Sequence, residues 1–277
     1  MNTKTITSIL AEHGIQVNKK LGQNFLCNDD VVEKILTSSG VTGVDRVLEI
    51  GPGLGALTER MAERAAHVTA VEIDAGLARY LQHRFGDTDT CTVVHGDFLK
   101  IHCDGEFTRA VSNLPYYCAS EILFRLATEY GMPEFYVMMQ HEMAARIQAG
   151  PGTKEYGALT AALSLYYRCE YLFSIDKTSF YPKPEVRSAF LKFRRRDDVP
   201  ENKEVLELFH RIVKSAFWGR RKTILKSLSD APHLDYSRQE ISAVLHEQGI
   251  DPSLRGENLS VEEFRGLAEA FLRRSGN

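Results

Sequence analysis

Val44-Asp45-Arg46-Val47-Leu48-Glu49-Ile50-Gly51-Pro52-Gly53-Leu54-Gly55 joins an apolar run to a turn with glycine at every second position. Residues 44–50 read as a buried strand, and a helix is expected over 57–65. Between them, Gly51, Gly53 and Gly55 carry no side chain, so a ligand can approach the backbone at a helix N-terminus. The alternation continues downstream. A strand over 67–73 ends in Glu72 and Asp74, a helix covers 77–85, a strand over 91–94 runs to Gly96-Asp97, and a strand over 109–112 runs into Asn113. Such an order predicts an α/β fold, a doubly wound, mostly parallel, Rossmann-like sheet with right-handed crossovers. The glycine turn then falls at the switch point where such sheets bind ligands.

Upstream, Val31, Val32, Ile35 and Leu36 share one face of a helix over 29–36 that Asn28 or Asp29 would cap. Downstream, further strands are expected over 134–139, 166–173 and 188–193, and helices over 142–148 and 158–165. The charged, proline-bearing stretch 194–202 reads as a linker. Beyond it the chain is helical: Val205, Leu208, Phe209, Ile212, Val213 and Ala216 form one amphipathic face closed by Gly219. The last helix opens on Ser260-Val261-Glu262-Glu263, the spacing of a capping box. These features divide the chain into 1–195 and a small all-α domain over 203–277.

At 277 residues, two domains are the natural expectation. The five cysteines are scattered, with no CxxC pair and no zinc-like spacing, so no metal site is expected and a reducing cytoplasm fits. No secretory leader and no bilayer-length apolar run stand out, which predicts a protein neither exported nor embedded in a membrane. The net charge of -3 argues weakly against a nucleic-acid partner, but cations cluster at Lys19 and Lys20, over 192–196, and at Arg211, Lys214, Arg220, Arg221, Lys222 and Lys226. Those runs form either a local basic face or ordinary solvated helix surfaces.

Four consecutive strand ends carry Gly51, Glu72, Asp97 and Asn113. The spacing E-x-G-x-G-x-G differs from the G-x-G-x-x-G of dinucleotide enzymes and favours S-adenosylmethionine. Glu72 is placed to accept from two ribose hydroxyls, and Asp97 either accepts from an adenine amino group or caps the next turn. In Asn113-Leu114-Pro115-Tyr116, the Asn113 amide oxygen and the Leu114 and Pro115 carbonyls can accept from an exocyclic NH2 while Tyr116 stacks on the ring. Two acceptors on one amine favour a tetrahedral nitrogen with its lone pair directed at a methyl donor, so no strong base is needed. Phe180, in the stiff segment Phe180-Tyr181-Pro182-Lys183-Pro184, closes on the opposite face of a base or belongs to the core. Gln23 and Asn24, in a Gly-containing segment before the first helix, offer polar contacts to a cofactor or form a plain loop.

With these residues assembled, the chain resembles the ribosomal RNA adenine N6,N6-dimethyltransferases, in particular their small-subunit (16S) branch. The likeness runs nearly end to end: LGQNFL at 21–26, EIGPGLGALT at 49–58, VEID at 71–74, GDFL at 96–99, NLPYY at 113–117, QHEMAARI at 140–147, FYPKPEVRSA at 180–189, AFWGRRKT at 216–223 and DPSLRGENLS at 251–260. It implies that Gln23, Asn24, Leu26, Gly51, Gly53, Glu72, Asp97, Phe98 and Asn113 bind S-adenosylmethionine, which leaves as S-adenosylhomocysteine. Asn113, Leu114, Pro115 and Tyr116 would hold the target adenine, with Phe180 opposite. Lys19, Lys20, Arg220, Arg221 and Lys222 would grip RNA. The resemblance further implies a cytoplasmic monomer that dimethylates two adjacent adenosines near the 3' end of 16S rRNA during ribosome biogenesis. Tyr117-Cys118-Ala119-Ser120-Glu121 departs from the Asn-Ile-Ser/Ala-Thr/Ser that more often follows the motif, which bears on the base pocket. The alternatives are the antibiotic-resistance branch acting on large-subunit rRNA, against which AFWGRRKT and the tail beyond Ile250 speak, and a non-catalytic assembly factor. A nicotinamide oxidoreductase lacks its hydride-transfer residues.

Overall fold

The computed structural model describes residues 1–18, 21–219 and 221–275. Lys19, Lys20 and Arg220, expected to contact RNA, lie outside the described residues. The chain divides into two compact units, Met1–Ala144 with Cys169–Arg195, and Ala145–Arg168 with Arg196–Asn277.

The first unit opens with α1 (Thr3–Glu12), the two-residue strand β1 (Phe25–Leu26) and α2 (Asp29–Ser39). Asn28 caps α2 by accepting from the Asp30 and Val31 amides, and Gly40, at φ 58°, ends it. Then β2 (Arg46–Ile50), α3 (Ala56–Ala62), β3 (His67–Glu72), α4 (Ala75–Phe85), β4 (Cys91–His95) and β5 (Arg109–Asn113) follow in the expected alternation. After α5 (Ala119–Arg125) come β6 (Glu134–Gln140) and α6 (His141–Ile147), whose last turn passes into the second unit.

Seven strands form one sheet in the order β4-β3-β2-β5-β6-β9-β7, where β7 is Tyr167–Ile175 and β9 is Ser188–Arg195. The pairs β2–β3, β3–β4, β2–β5 and β5–β6 are parallel, and β9 runs antiparallel to β6. Chain order reverses between β2 and β5, so the crevice beyond their carboxyl ends is the switch point. A separate antiparallel pair joins β1 to β8 (Phe180–Tyr181) in the register Phe25↔Tyr181, Leu26↔Phe180. The Tyr181–Pro182 bond is cis.

Parallel strands are covered on both faces, and Val47 to Ile50 are accordingly all buried, Glu49 among them. Val44, expected to begin this strand, stands outside it and is 81% exposed. The cause is Asp45, whose carboxylate accepts from the Thr42 amide and hydroxyl, the Thr108 hydroxyl and Arg109 Nε at 2.8–2.9 Å. Pinning that side chain makes 42–45 a turn. Ile35, Met61, Leu81, Val111, Met138 and Phe190 are among the residues of the core.

The second unit is helical. It holds α7 (Ala158–Tyr166), α8 (Lys203–Ala216), α9 (Ile224–Asp230), α10 (Arg238–Glu247) and α11 (Val261–Ser275). The expected apolar face of α8 is buried from Val205 to Ala216, and Phe209 meets Phe264 of α11 edge to face at 6.5 Å. The Ser260 box is formed: its amide donates to Glu263 Oε2 at 2.7 Å and its hydroxyl accepts from the Glu263 amide. Two boundaries differ from expectation. The α8 helix stops at Ala216, with Phe217 rather than Gly219 at its cap. Helix α7, expected within 1–195, belongs to the second unit, because its apolar residues are buried around most of its circumference and Tyr166 reaches His210 of α8 at 2.7 Å. Among the described residues no helix is long and apolar enough to cross a membrane, and no cluster of His, Cys, Asp and Glu could hold a metal ion.

Candidate active site

The carboxyl ends of β2, β3, β4 and β5 converge as the alternation required. Gly51 leaves β2 at φ +69° with its amide on the Val71 carbonyl, 2.9 Å away. Gly55 begins the turn into α3 at φ +80°, where an added Cβ would stand 2.9 Å from Leu81 Cδ2, so only glycine serves. The Gly53 amide donates to Glu72 Oε2 at 3.0 Å and the Asp74 amide to Oε1 at 2.9 Å. Glu72 is 3% exposed, and this burial pushes its carboxyl up to about 7 against the pull of those two bonds. Behind it Glu49 accepts from the Thr58 hydroxyl at 2.6 Å. Burial lifts Glu49 to about 8; the Thr58 bond opposes the rise and the Glu72 charge adds to it.

These strand ends line a cleft with about 520 Å³ of open space, walled by Gly22, Gln23, Asn24, Gly51, Gly53, Glu72 and the run from Asn113 to Tyr117. A second pocket of about 310 Å³ shares Gly51, Ile73, Pro115 and Tyr117 and adds Gly96, Asp97, Phe98 and Leu99. A third, of about 350 Å³, is lined by Asn24, Leu26, Glu49, the glycine turn and Asn113. The three surround Gly51. A Cβ there would stand 3.7 Å from Pro115 Cδ and 3.8 Å from the Asn113 carbonyl oxygen, so a side chain would close the passage between the turn and the Asn113 motif. An open passage, a buried diol acceptor and an apolar slot ending in a carboxylate fit S-adenosylmethionine in chemistry and size.

The acceptor motif is held from several sides. Ser112 Oγ accepts from the Ile50 amide at 2.9 Å, and the Leu114 amide donates to the Met138 carbonyl at 3.0 Å. Asn113 Nδ2 donates to the Asn24 carbonyl at 3.1 Å. That bond uses the amide's donor end and leaves Oδ1 to accept. Tyr116 lies in a short 3-10 turn, its hydroxyl 2.8 Å from Ser188 Oγ on β9, and its burial raises the phenol above the ordinary range. The Pro115 carbonyl, expected to be free, accepts from the Cys118 amide at 3.3 Å within this turn. The Leu114 carbonyl carries no hydrogen bond among the described residues.

The other expected residues fall unequally. Gln23 bridges by accepting from the Asn18 amide at 2.7 Å and donating to Asp74 Oδ2 at 3.2 Å, and Asn24 Nδ2 closes on the Gly22 carbonyl. Asp97 lines the second pocket and also caps, with Oδ1 accepting from the Leu99 amide at 3.0 Å and Oδ2 3.4 Å from Lys100. Phe98 is buried against Tyr130 with ring centres 5.5 Å apart, and Arg125 donates to its carbonyl. Phe180 does not line the cleft; it is 3% exposed in the core and reaches the site only through its strand partner Leu26. Arg221 is exposed, whereas Lys222 Nζ is held by Asp230 at 2.8 Å.

Sequence reading tied Tyr117 to the base pocket only as part of an atypical segment, and it missed Ser188 and the Glu49–Thr58 pair. Tyr117 is 53% exposed at the rim and lines both the cleft and the second pocket; its phenol is pushed up to about 12, chiefly by burial. Glu49 was visible as an acid inside an apolar strand.

Residues 14–272 match the sequence model of the family described as ribosomal RNA adenine dimethylase. The chain is 38% identical over 275 residues to a Geobacillus thermodenitrificans protein named ribosomal RNA small subunit methyltransferase A, covering 95% of this chain and 94% of that one. It is 40% identical over 276 residues, 95% of each chain, to the Streptococcus pneumoniae protein of the same name. Among solved structures, the 23S rRNA methyltransferase ErmE superposes with a TM-score of 0.66 at 28% identity, over 89% of this chain and 98% of that one. A dimethyladenosine transferase from Plasmodium falciparum, at 22% identity, shares the fold with a TM-score of 0.80 over 91% of this chain and 98% of that one. With a family match over most of its length and relatives near 40% identity, the chain belongs to the ribosomal RNA adenine dimethylases, S-adenosylmethionine-dependent methyltransferases of Rossmann-like fold.

Proposed function

We propose that the protein dimethylates N6 of two adjacent adenosines near the 3' end of 16S rRNA in the small ribosomal subunit, acting as a cytoplasmic monomer. The observation that carries the catalytic reading is the Asn113 Nδ2 bond to the Asn24 carbonyl, which dedicates Oδ1 to acceptance. The names of the relatives, matched over 95% of the chain, support the small-subunit substrate.

When bound, S-adenosylmethionine supplies an electrophilic sulfonium methyl group. Glu72 would accept from its ribose hydroxyls, Asp97 and Phe98 would hold its adenine, and Gly51 and Gly53 would leave it room against the backbone. The Gln23–Asp74 and Asn113–Asn24 bonds fix the segment that lines the cleft. Asn113 Oδ1 and the Leu114 carbonyl accept from the two N6 hydrogens of the target adenine. This pulls the lone pair out of ring conjugation, while Tyr116, braced by Ser188, stacks on the base. Proton loss follows attack, so a neutral amide suffices. An adenine inside a stack cannot present N6 in this way, so the base is flipped out. Phe180 would need to leave the core to cover its second face.

Labelled S-adenosylmethionine incubated with the protein and unmethylated small subunits, followed by digestion to nucleosides, tests the proposal. N6,N6-dimethyladenosine is the expected product, and its absence rejects the reading.

A further inference from the structure

Trp218 is the chain's single tryptophan and, unlike most large aromatics here, it faces solvent, 55% exposed. It sits in the turn after α8, its amide on the Ser215 carbonyl at 3.1 Å. The His233 ring packs perpendicular to it, 88° between planes and 5.2 Å between centres. This contact fixes the indole without covering it. His233 Nε2 is buried and has no hydrogen-bond partner among the described residues. A rigid exposed indole loses little conformational entropy on contact and is a stacking platform in waiting.

The surroundings decide what it stacks on. Lys214 lies one helical turn before Trp218 and Arg221 three residues after it, both exposed and neither in an ion pair among the described residues. Three acids of this unit are paired: Asp230 with Lys222 at 2.8 Å, Asp235 with Arg211 at 3.1 Å and Glu257 with Arg255 at 3.6 Å. The stretch 214–222 that carries the indole holds Lys214, Arg221 and Lys222 and no acid, so its own charge is positive. Leu254, 37% exposed, borders the same turn, because the Ile224 amide donates to its carbonyl. An apolar plate flanked by unpaired cations matches an unstacked base and its phosphates, and repels a basic partner.

We infer that Trp218 stacks on an unpaired base of the rRNA substrate and so positions the RNA away from the methylated adenine. This rests on the proposed rRNA substrate. Because no other tryptophan contributes, the intrinsic emission of the full chain reports on this residue alone. Titration with a protein-free small-subunit rRNA transcript should quench that emission in step with binding followed by anisotropy. Trp218→Ala should raise KM for unmethylated small subunits roughly tenfold at unchanged kcat, and Trp218→Phe should recover most of the loss. Binding of the transcript without a change in emission, or an unaltered KM in Trp218→Ala, overturns the inference. So does quenching by intact subunits but not by the transcript, which assigns the contact to a ribosomal protein. Failure of the wild-type protein to methylate small subunits would instead reject the proposed function, and the two failures are distinguished by that control.

Discussion

Replacing Asn113 with alanine removes two interactions of different kinds, and their sizes can be separated. The Nδ2 bond to the Asn24 carbonyl, 3.1 Å long, is a neutral hydrogen bond worth about 1 kcal/mol. Its loss frees the segment lining the cleft and should weaken cofactor binding about fivefold. Loss of Oδ1 removes an acceptor that matters most as the amine becomes cationic. By analogy with deletion of one preorganised polar group from a transition-state site, this costs about 3 kcal/mol, or roughly a hundredfold in kcat. Ser112, Leu114 and Tyr116 keep their own bonds to Ile50, Met138 and Ser188, so the fold should survive. Initial rates of methyl incorporation into unmethylated small subunits give kcat; calorimetry gives cofactor affinity, and filter binding gives RNA affinity. The expected pattern is a collapsed kcat, a modest cofactor defect and unchanged RNA binding. A variant with full kcat refutes the acceptor role, and an equal fall in all three would show that Asn113 is a structural residue.

Two further outcomes follow from buried titratable groups. Burial raises Glu72 to about 7 in the folded chain, above its unfolded value near 4.5. Its contribution to stability is therefore present below the unfolded value and lost as pH rises through 7. Cofactor binding has the opposite sign, since the ionised carboxylate is the stronger acceptor for two hydroxyls: affinity should rise about tenfold between pH 6 and 8, and Glu72→Gln should flatten this slope. A pH-independent affinity in the wild type contradicts the ribose role. In the helical unit, burial beside Tyr166 lowers His210 to about 4. The unfolded chain takes up that proton first, so stability falls as pH drops from 6.5 towards 4, by up to about 3 kcal/mol. His210→Gln keeps a hydrogen-bonding side chain but does not titrate, and its melting temperature should decline less over this range. An equal decline in both proteins counts against the assignment.

Gly51, Glu72, Asp97 and Asn113 were legible because each lies at the end of a strand whose apolar run and following turn are local features. The capping box at Ser260 and the face of α8 were legible for the same reason. What escaped involves distant partners. The β1–β8 pair joins residues far apart in sequence through strands too short to show a period, so Phe180 could not be assigned between core and site. The orientation of the Asn113 amide depends on Asn24, and the setting of Tyr116 on Ser188. The Pro115 carbonyl looked available because proline lacks an amide, but the 3-10 turn that follows uses the carbonyl as acceptor. Helix α7 read as part of the sheet domain by chain order; its nearly uniform burial, and Tyr166 beside His210, align it with the second unit.

A map of the methylated positions separates the two ribosomal targets. Unmethylated small and large subunits, each treated with the protein and S-adenosylmethionine, can be read by primer extension, because N6,N6-dimethyladenosine blocks the copying strand. Stops are expected at two adjacent adenosines near the 3' end of small-subunit rRNA and none in large-subunit rRNA. A stop only in large-subunit rRNA would contradict the small-subunit assignment.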